Sequence, residues 1–566
     1  MDAVAHMEAE AKTGETRQNG AFSRNVAQHL VQQLTLWGVE RIYGVIGDAN
    51  LYLLDELGKQ QKITYIACRH ETNAALMASA EAKLTGKLAV CTCTSGPGLA
   101  SIVNGLADAW ADRVPVLVLS GQVQRTEIGL GGVQDMDQQL FIQPLADFSS
   151  LVADSHAFPK LLNKAVKAAL NKGGVAHLSI PKEIWRLPVS GGFFPLPTKA
   201  VPANPSPEQI QKAARLIDKA KRPVILAGRG IESAQYYAVH FAEKIQAPLM
   251  VTMPAKSFLP NDHSLFVGGL GHAGTEIARE LLEKADLCIV LGATWWPTDY
   301  VPQTVPIVQI DARAENIGAS CPVAAPVVGE MSTALSQLIP IVLKKKNEQY
   351  LAEIAEKKIE WNKRIEQESK EESPTGSISP AYAFSVLQKC IDDDALISID
   401  VGDHTVWFER IFQLKRQKLI ISGTWRTLGF GLPAGIACQL AMPDRQVVSV
   451  AGDGGVAYSI MELVTAVSYK LPLTVIIMNN QCYAMEKNRM IVEGLSTLGS
   501  QIPNPDYAAL AKACGAEAVR VSKPEELESS IRHALSARTT SVVEIMCSDP
   551  ILPHTKILKG MNTGNS

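Results

Sequence analysis

Short, almost wholly apolar runs that end in a glycine or polar turn and lead into helical stretches recur along this chain. VPVLVLSG (114–121), RPVILAGRG (222–230) and LTVIIMNN (473–480) are three of them. Strands buried on both faces look like this, and they belong to parallel sheets covered by helices. The expected class is therefore α/β. At 566 residues the chain exceeds the roughly 250–300 residues that one core supports, so it must divide.

The divisions are legible. PVSGGFFPLPTKAVPANPSP carries prolines and glycines that deny it regular structure and marks a linker near residues 186–206. From Lys344 to residue 376 the chain is densely charged with apolar residues only at intervals, the pattern of a solvated helical connector. Three doubly wound, mostly parallel-sheet domains are expected over residues 25–190, 205–343 and 377–550, with tails at 1–24 and 551–566. ALMASAEAKLTGKLAVCTCTSGPG and AGIACQLAMPDRQVVSVAGDGG repeat one order of helix, turn, strand and glycine turn, which reads as duplication of one binding layer.

A formal net charge of −3 with scattered basic residues offers no phosphate-backbone footprint, so no nucleic-acid partner is expected. The 10 cysteines lack paired spacing and read as small buried hydrophobes, which fits a reducing compartment. The first two dozen residues contain no apolar signal region, and no apolar run approaches the ~20 residues that span a bilayer. A cytoplasmic location is expected.

The most specific pattern is Gly452-Asp453-Gly454-Gly455 with Asn479-Asn480, where Asn480 stands 27 positions after Asp453. That interval fits a strand, a crossover helix at 457–469 and the next strand, so both side chains emerge at carboxyl ends of a parallel sheet. A carboxylate, an amide oxygen and a backbone carbonyl there suit Mg²⁺, which keeps part of its shell for phosphate oxygens. Gly454 and Gly455 would let a diphosphate approach the backbone at a helix N-terminus. In the second unit, Gly228 and Gly230 in LAGRG make a glycine turn after a strand, suited to a nucleotide phosphate or to simple strand-to-helix geometry.

On these motifs the chain resembles the thiamine diphosphate enzymes of the pyruvate oxidase and acetohydroxyacid synthase group, over nearly its whole length after residue 24. The resemblance implies a first domain that binds the cofactor's pyrimidine and a third that binds its diphosphate. It implies that Asp453 and Asn480 bind Mg²⁺ with the carbonyl of Cys482, and that Gly402 and His404 of DVGDHTVW contact the diphosphate. Asp403 departs there from the usual glutamine. Arg69-His70-Glu71 before a small-residue helix matches the group's cofactor-activating glutamate. A buried carboxylic acid bonded to the aminopyrimidine favours the tautomer that can remove the thiazolium proton. Leu428 occupies the place of the apolar wedge that bends the cofactor, and the carbonyl of Arg426 would accept from the aminopyrimidine.

Glu71 and Asp453 lie in different domains, and in the group these domains meet between subunits, so a homodimer or homotetramer is expected. The substrate class implied is a small 2-oxo acid, pyruvate first. After CO₂ leaves, members of the group diverge between oxidation through flavin, carboligation and protonation. GVIGDANLYLLDEL and the spacing of QQLF look more like pyruvate oxidases, which implies FAD in the middle domain. Trp296, paired with Pro297, and Asp311 resemble flavin-lining positions. Gln134 falls at a substrate-side glutamine, and Arg489 would pair with a substrate carboxylate or be a solvated surface residue. Two alternatives stand beside the oxidase reading: acetolactate synthesis, and a cofactor-binding relative without catalysis.

Overall fold

The computed structural model describes residues 24–200, 204–271, 274–294, 305–370 and 377–552. Three six-stranded sheets follow one another, and every strand pairing is parallel. The first holds β1 (Arg41–Gly44), β2 (Thr64–Ala67), β3 (Ala89–Cys93), β4 (Val116–Gln122), β5 (Phe148–Leu151) and β6 (Val175–Pro181), in the order β2-β1-β3-β4-β6-β5. The second holds β7 (Pro223–Ala227), β8 (Leu249–Val251), β9 (Phe266–Gly269), β10 (Leu287–Leu291), β11 (Ile307–Asp311) and β12 (Ala325–Val328). Its order is β12-β11-β10-β7-β8-β9, which places the topological switch point between β7 and β10.

The third sheet holds β13 (Leu396–Ile399), β14 (Lys418–Ile421), β15 (Val447–Gly452), β16 (Leu473–Asn479), β17 (Glu517–Val521) and β18 (Ser541–Met546). Its order, β14-β13-β15-β16-β18-β17, repeats that of the first sheet strand for strand. The echo read in the two sequences is thus an echo in topology. The all-apolar runs are the central strands: β4, β7, β10 and β16 are buried at every position.

The first and third sheets share a core. Helix Glu71–Thr85 contributes Ala74, Ala75, Met77 and Ala78, and helix Gly431–Ala441 contributes Leu432, Ala434, Ile436 and Ala437. Alanines on both faces let these helices approach closely. The middle sheet has its own core, onto which helix Glu348–Glu368 docks through Tyr350, Ile354 and Trp361 while its remaining faces stay charged.

One local expectation fails. In place of a helix over 457–469, the chain forms a short helix Asp453–Val456, a stretch of tight turns, and helix Glu462–Ser468. Tyr458, Ser459, Glu462 and Leu463 bond the carbonyls three residues back, so the backbone overwinds and turns Glu462 inward. Trp296 and most of both expected tails lie outside the described residues. No helix among the described residues is long and apolar enough to cross a membrane.

Candidate active site

β15 and β16 are neighbours in register, Gly452 opposite Met478, so Asp453 and Asn480 leave the sheet side by side at its carboxyl edge. There they line a cavity of about 220 Å³. Its lining also includes Gly402, Asp403, His404, Gly454, Gly455 and Cys482, together with the apolar side chains of Leu428, Val401, Met478 and Met485. Arg426, exposed to solvent, also lines it. Nine residues expected to hold cofactor or metal, drawn from four separate segments, thus meet in one place.

Asp453 is nearly fully buried, and burial pushes its carboxyl up, the amide of Gly454 opposing. Asp453 Oδ1 accepts from Gly454 N at 2.9 Å and Oδ2 from Asn504 Nδ2 at 2.7 Å. Tyr507 donates to the Asp453 carbonyl at 2.8 Å. A carboxylate with an amide oxygen and a carbonyl beside it is a hard-oxygen donor set that fits Mg²⁺, whose charge would offset the cost of burying Asp453. Asn504 and Tyr507 were invisible to the motif search, since they lie in an irregular stretch and at the start of the next helix.

The glycines have a second reason to be glycine. A Cβ on Gly454 would lie 2.5 Å from the Tyr483 ring, and one on Gly455 would lie 3.0 Å from the Asp400 carboxyl. His404 is buried and its pKa falls to about 4, so the ring is neutral, with Nε2 at 3.1 Å from the Asp400 carbonyl. Asp403 is 6% exposed and its Oδ1 has no hydrogen-bond partner within the protein. Burial drives that carboxyl up to about 7, with Trp407 opposing and Asp549 reinforcing the shift.

Glu71 does not line this cavity. It is the first residue of helix Glu71–Thr85, half-exposed, and a Cβ on Gly98 would lie 3.6 Å from its Oε1. Gln134 flanks the same turn: it adopts φ 62° and accepts from Ser95 Oγ at 2.9 Å. The turn before Glu71 is pinned from the third domain by fully buried Glu462, whose Oε1 accepts from Arg69 N (2.9 Å), His70 N (3.2 Å) and Asn73 Nδ2 (3.1 Å). Sequence reasoning missed Glu462; its one signal is a carboxylate inside an otherwise apolar helical stretch.

In the middle domain, Gly228 and Gly230 stand at the switch point but pack on their own chain. Their Cβ atoms would lie 2.4 Å from the Gly292 carbonyl and 2.6 Å from Gly292 Cα. Asp311, at the tip of β11, accepts from Arg313 N at 2.9 Å and Asn316 Nδ2 at 2.7 Å. Arg489 is exposed on helix Ala484–Glu493, outside the cavity, and pairs with Glu493 at 2.9 Å.

Comparison with known proteins extends this geometry. Residues 24–141 match the N-terminal TPP binding domain of thiamine pyrophosphate enzymes, 210–338 their central domain and 400–545 their C-terminal TPP binding domain. YdaP of Bacillus subtilis (strain 168), whose description goes no further than thiamine pyrophosphate-containing, is 37% identical over 548 residues, 96% of this chain and 95% of that protein. The acetolactate synthase isozyme 1 large subunit of Escherichia coli (strain K12) is 30% identical over 84% of each chain. A pyruvate oxidase of Lactiplantibacillus plantarum is 29% identical over 93% of this chain and 89% of its own. Three domains matched in order, over more than half of the chain, place it in the thiamine pyrophosphate enzyme family.

Proposed function

We propose that this protein binds thiamine diphosphate through Mg²⁺ and decarboxylates a small 2-oxo acid, pyruvate first, with the fragment left after CO₂ loss giving two electrons to FAD in the middle domain before it is released. The observation that carries the reading is the single cavity bringing Asp453, Asn480 and Cys482 beside His404 and Leu428. Asp453, Asn480 and the Cys482 carbonyl hold the metal, Gly402 and His404 meet the diphosphate, and Leu428 with the Arg426 carbonyl orient the pyrimidine. Thiamine diphosphate, when bound, supplies the nucleophilic carbon and the electron sink for CO₂ loss. Glu71 meets the pyrimidine ring nitrogen and exchanges a proton with it. Because Glu71 and the cavity are separate within one chain, the site is completed by the first domain of a second copy, in a homodimer or homotetramer.

Oxidation through FAD is supported by the middle sheet, whose strand order is that of dinucleotide-binding sheets, by Asp311 on its ligand-bearing edge, and by the similarity to a pyruvate oxidase. Gly228 and Gly230 fit a nucleotide less directly, since Gly292 already crowds them. The similarity to an acetolactate synthase favours carboligation as the second reading. The purified protein is expected to be yellow, with a flavin band that bleaches anaerobically on adding pyruvate. Colourless protein that forms acetolactate would hand the assignment to the second reading.

Asp403 makes cofactor binding depend on pH. Its carboxyl is neutral below about 7 and charged above it, and the charged form repels a diphosphate in the same cavity. Thiamine diphosphate affinity is therefore expected to weaken from about pH 6 to about 8, and Asp403→Asn to flatten that slope. The apo-protein gives an independent reading. A carboxyl whose folded pKa lies above its unfolded value stabilises the fold at low pH and loses that contribution as pH rises through about 7. Asp403→Asn should thus raise the apo Tm at about pH 8 and not at about pH 4; equal Tm values at the higher pH would contradict the ionisation assigned to Asp403.

A further inference from the structure

The segment Ser422–Gly429, between β14 and helix Gly431–Ala441, carries both Arg426 and Leu428 and has no regular structure. Its backbone is strained: Arg426 adopts φ 55°, a left-handed conformation that a non-glycine residue rarely holds. Such a loop keeps its shape only when its surroundings over-determine it. Within the third domain it is tied by Ser422 Oγ, which accepts from Thr427 N at 3.1 Å, and by Asp400 Oδ1, which accepts from Gly429 N at 3.0 Å.

The other ties come from the first domain. Asp112 accepts from Gly423 N through Oδ2 and from Thr424 N through Oδ1, both at 2.8 Å. Asn104 donates to Thr427 Oγ1 at 2.8 Å and accepts from Trp425 Nε1 at 2.9 Å. Both belong to one element: helix Pro97–Ala111 carries Asn104, and Asp112 is its C-cap. Eight residues of helix span about 12 Å, enough to grip the loop at two separated points.

Local physics does not explain Asp112. A carboxylate at a helix C-terminus opposes the helix dipole, and this one is almost fully buried. What compensates lies elsewhere in the chain: Lys83 at 2.7 Å, Arg229 of the middle domain at 3.8 Å, and the two loop amides. Burial alone would raise the carboxyl, but Lys83 and Arg229 outweigh it and hold it well below the usual carboxylate range. Asp112 is therefore an anion at neutral pH, able to accept from both amides at once.

We infer that Asp112 and Asn104 are positioning residues: from the first domain they clamp the 422–429 loop of the third, and so set Leu428 and the Arg426 carbonyl against the cofactor. The inference rests on the proposed function for what the loop touches, and goes beyond it in naming what holds the loop.

The test uses the full-length protein with Asn104→Ala and Asp112→Asn. In the apo-protein, hydrogen exchange of the 422–429 amides, read by mass spectrometry, should quicken at least tenfold in both variants while helix Gly431–Ala441 stays protected. In the protein loaded with thiamine diphosphate and Mg²⁺, the cofactor dissociation constant should stay within about threefold, because Asp453 and Asn480 are untouched. Exchange of the cofactor C2 proton and kcat should both fall, by about 10- to 100-fold, with KM for pyruvate unchanged, since misplacement by about 1 Å has effects of that size. Asn104→Ala removes only two hydrogen bonds at a half-buried position, so it keeps the test readable if Asp112→Asn unfolds. Wild-type exchange in the loop together with wild-type kcat in Asn104→Ala would overturn the clamp. Failure of the wild-type protein to bind thiamine diphosphate would overturn the proposed function instead, leaving the apo-protein exchange to judge the clamp alone.

Discussion

Glu71→Gln is expected to lower decarboxylation by about 10²–10⁴-fold, the usual contribution of a positioned acid or base, while leaving fold and cofactor affinity close to wild type. Glutamine matches the carboxyl in size and keeps a hydrogen-bond donor, but it cannot exchange a proton with the pyrimidine nitrogen. The turn should survive, because Glu462 grips Arg69 N, His70 N and Asn73 and makes no hydrogen bond to the Glu71 side chain. Steady-state kinetics with pyruvate, alongside titration of thiamine diphosphate by calorimetry, separate the two effects. Substantial residual turnover would remove Glu71 from the catalytic role.

Asp453→Asn should instead abolish cofactor retention. Asp453 is the one carboxylate among the proposed metal ligands, and an amide brings an oxygen of similar size but no charge to a site meant for a divalent cation. A loss of at least ~100-fold in Mg²⁺-dependent thiamine diphosphate affinity is expected, with activity falling in parallel. Equilibrium dialysis with and without Mg²⁺ measures it, and unaltered retention would refute the ligand assignment. Mixing the two variants gives a sharper result. If Glu71 of one chain completes the cavity of another, re-associated hybrids hold one site with both residues intact, and about a quarter of wild-type activity should return for a random dimer. No recovery would mean that the two residues act within one chain.

These outcomes probe features of different legibility. Asp453 and Asn480 could be read because 27 positions separate them, one strand–helix–strand unit whose geometry is set locally. Edge strands such as β5 and β17 carry no continuous apolar run of the kind that marks the central strands. An edge strand faces water along one side, so its side chains lose the continuous burial that marks β4 or β16; β17 has exposed or half-exposed residues at four of its five positions. Gly228 and Gly230 carry the opposite ambiguity. A glycine turn after a strand is the same string of letters whether a phosphate or Gly292 lies against it.

By itself, the sequence determined the α/β class, the three sheets, and the cluster of oxygen donors at the ends of β15 and β16. Those follow from periodicity and short intervals, which act through backbone geometry over a few tens of residues. Only the tertiary structure decided that Glu71 stands apart from the cavity, that Glu462 holds the turn before it, and that Asp112 and Asn104 reach the loop of Leu428. Glu462 meets Asn73 across 389 positions and Asp112 meets Gly423 across 311. A buried polar residue is satisfied by whichever partner the packed domains bring to it, and until they pack it has the same sequence signature as a solvated one.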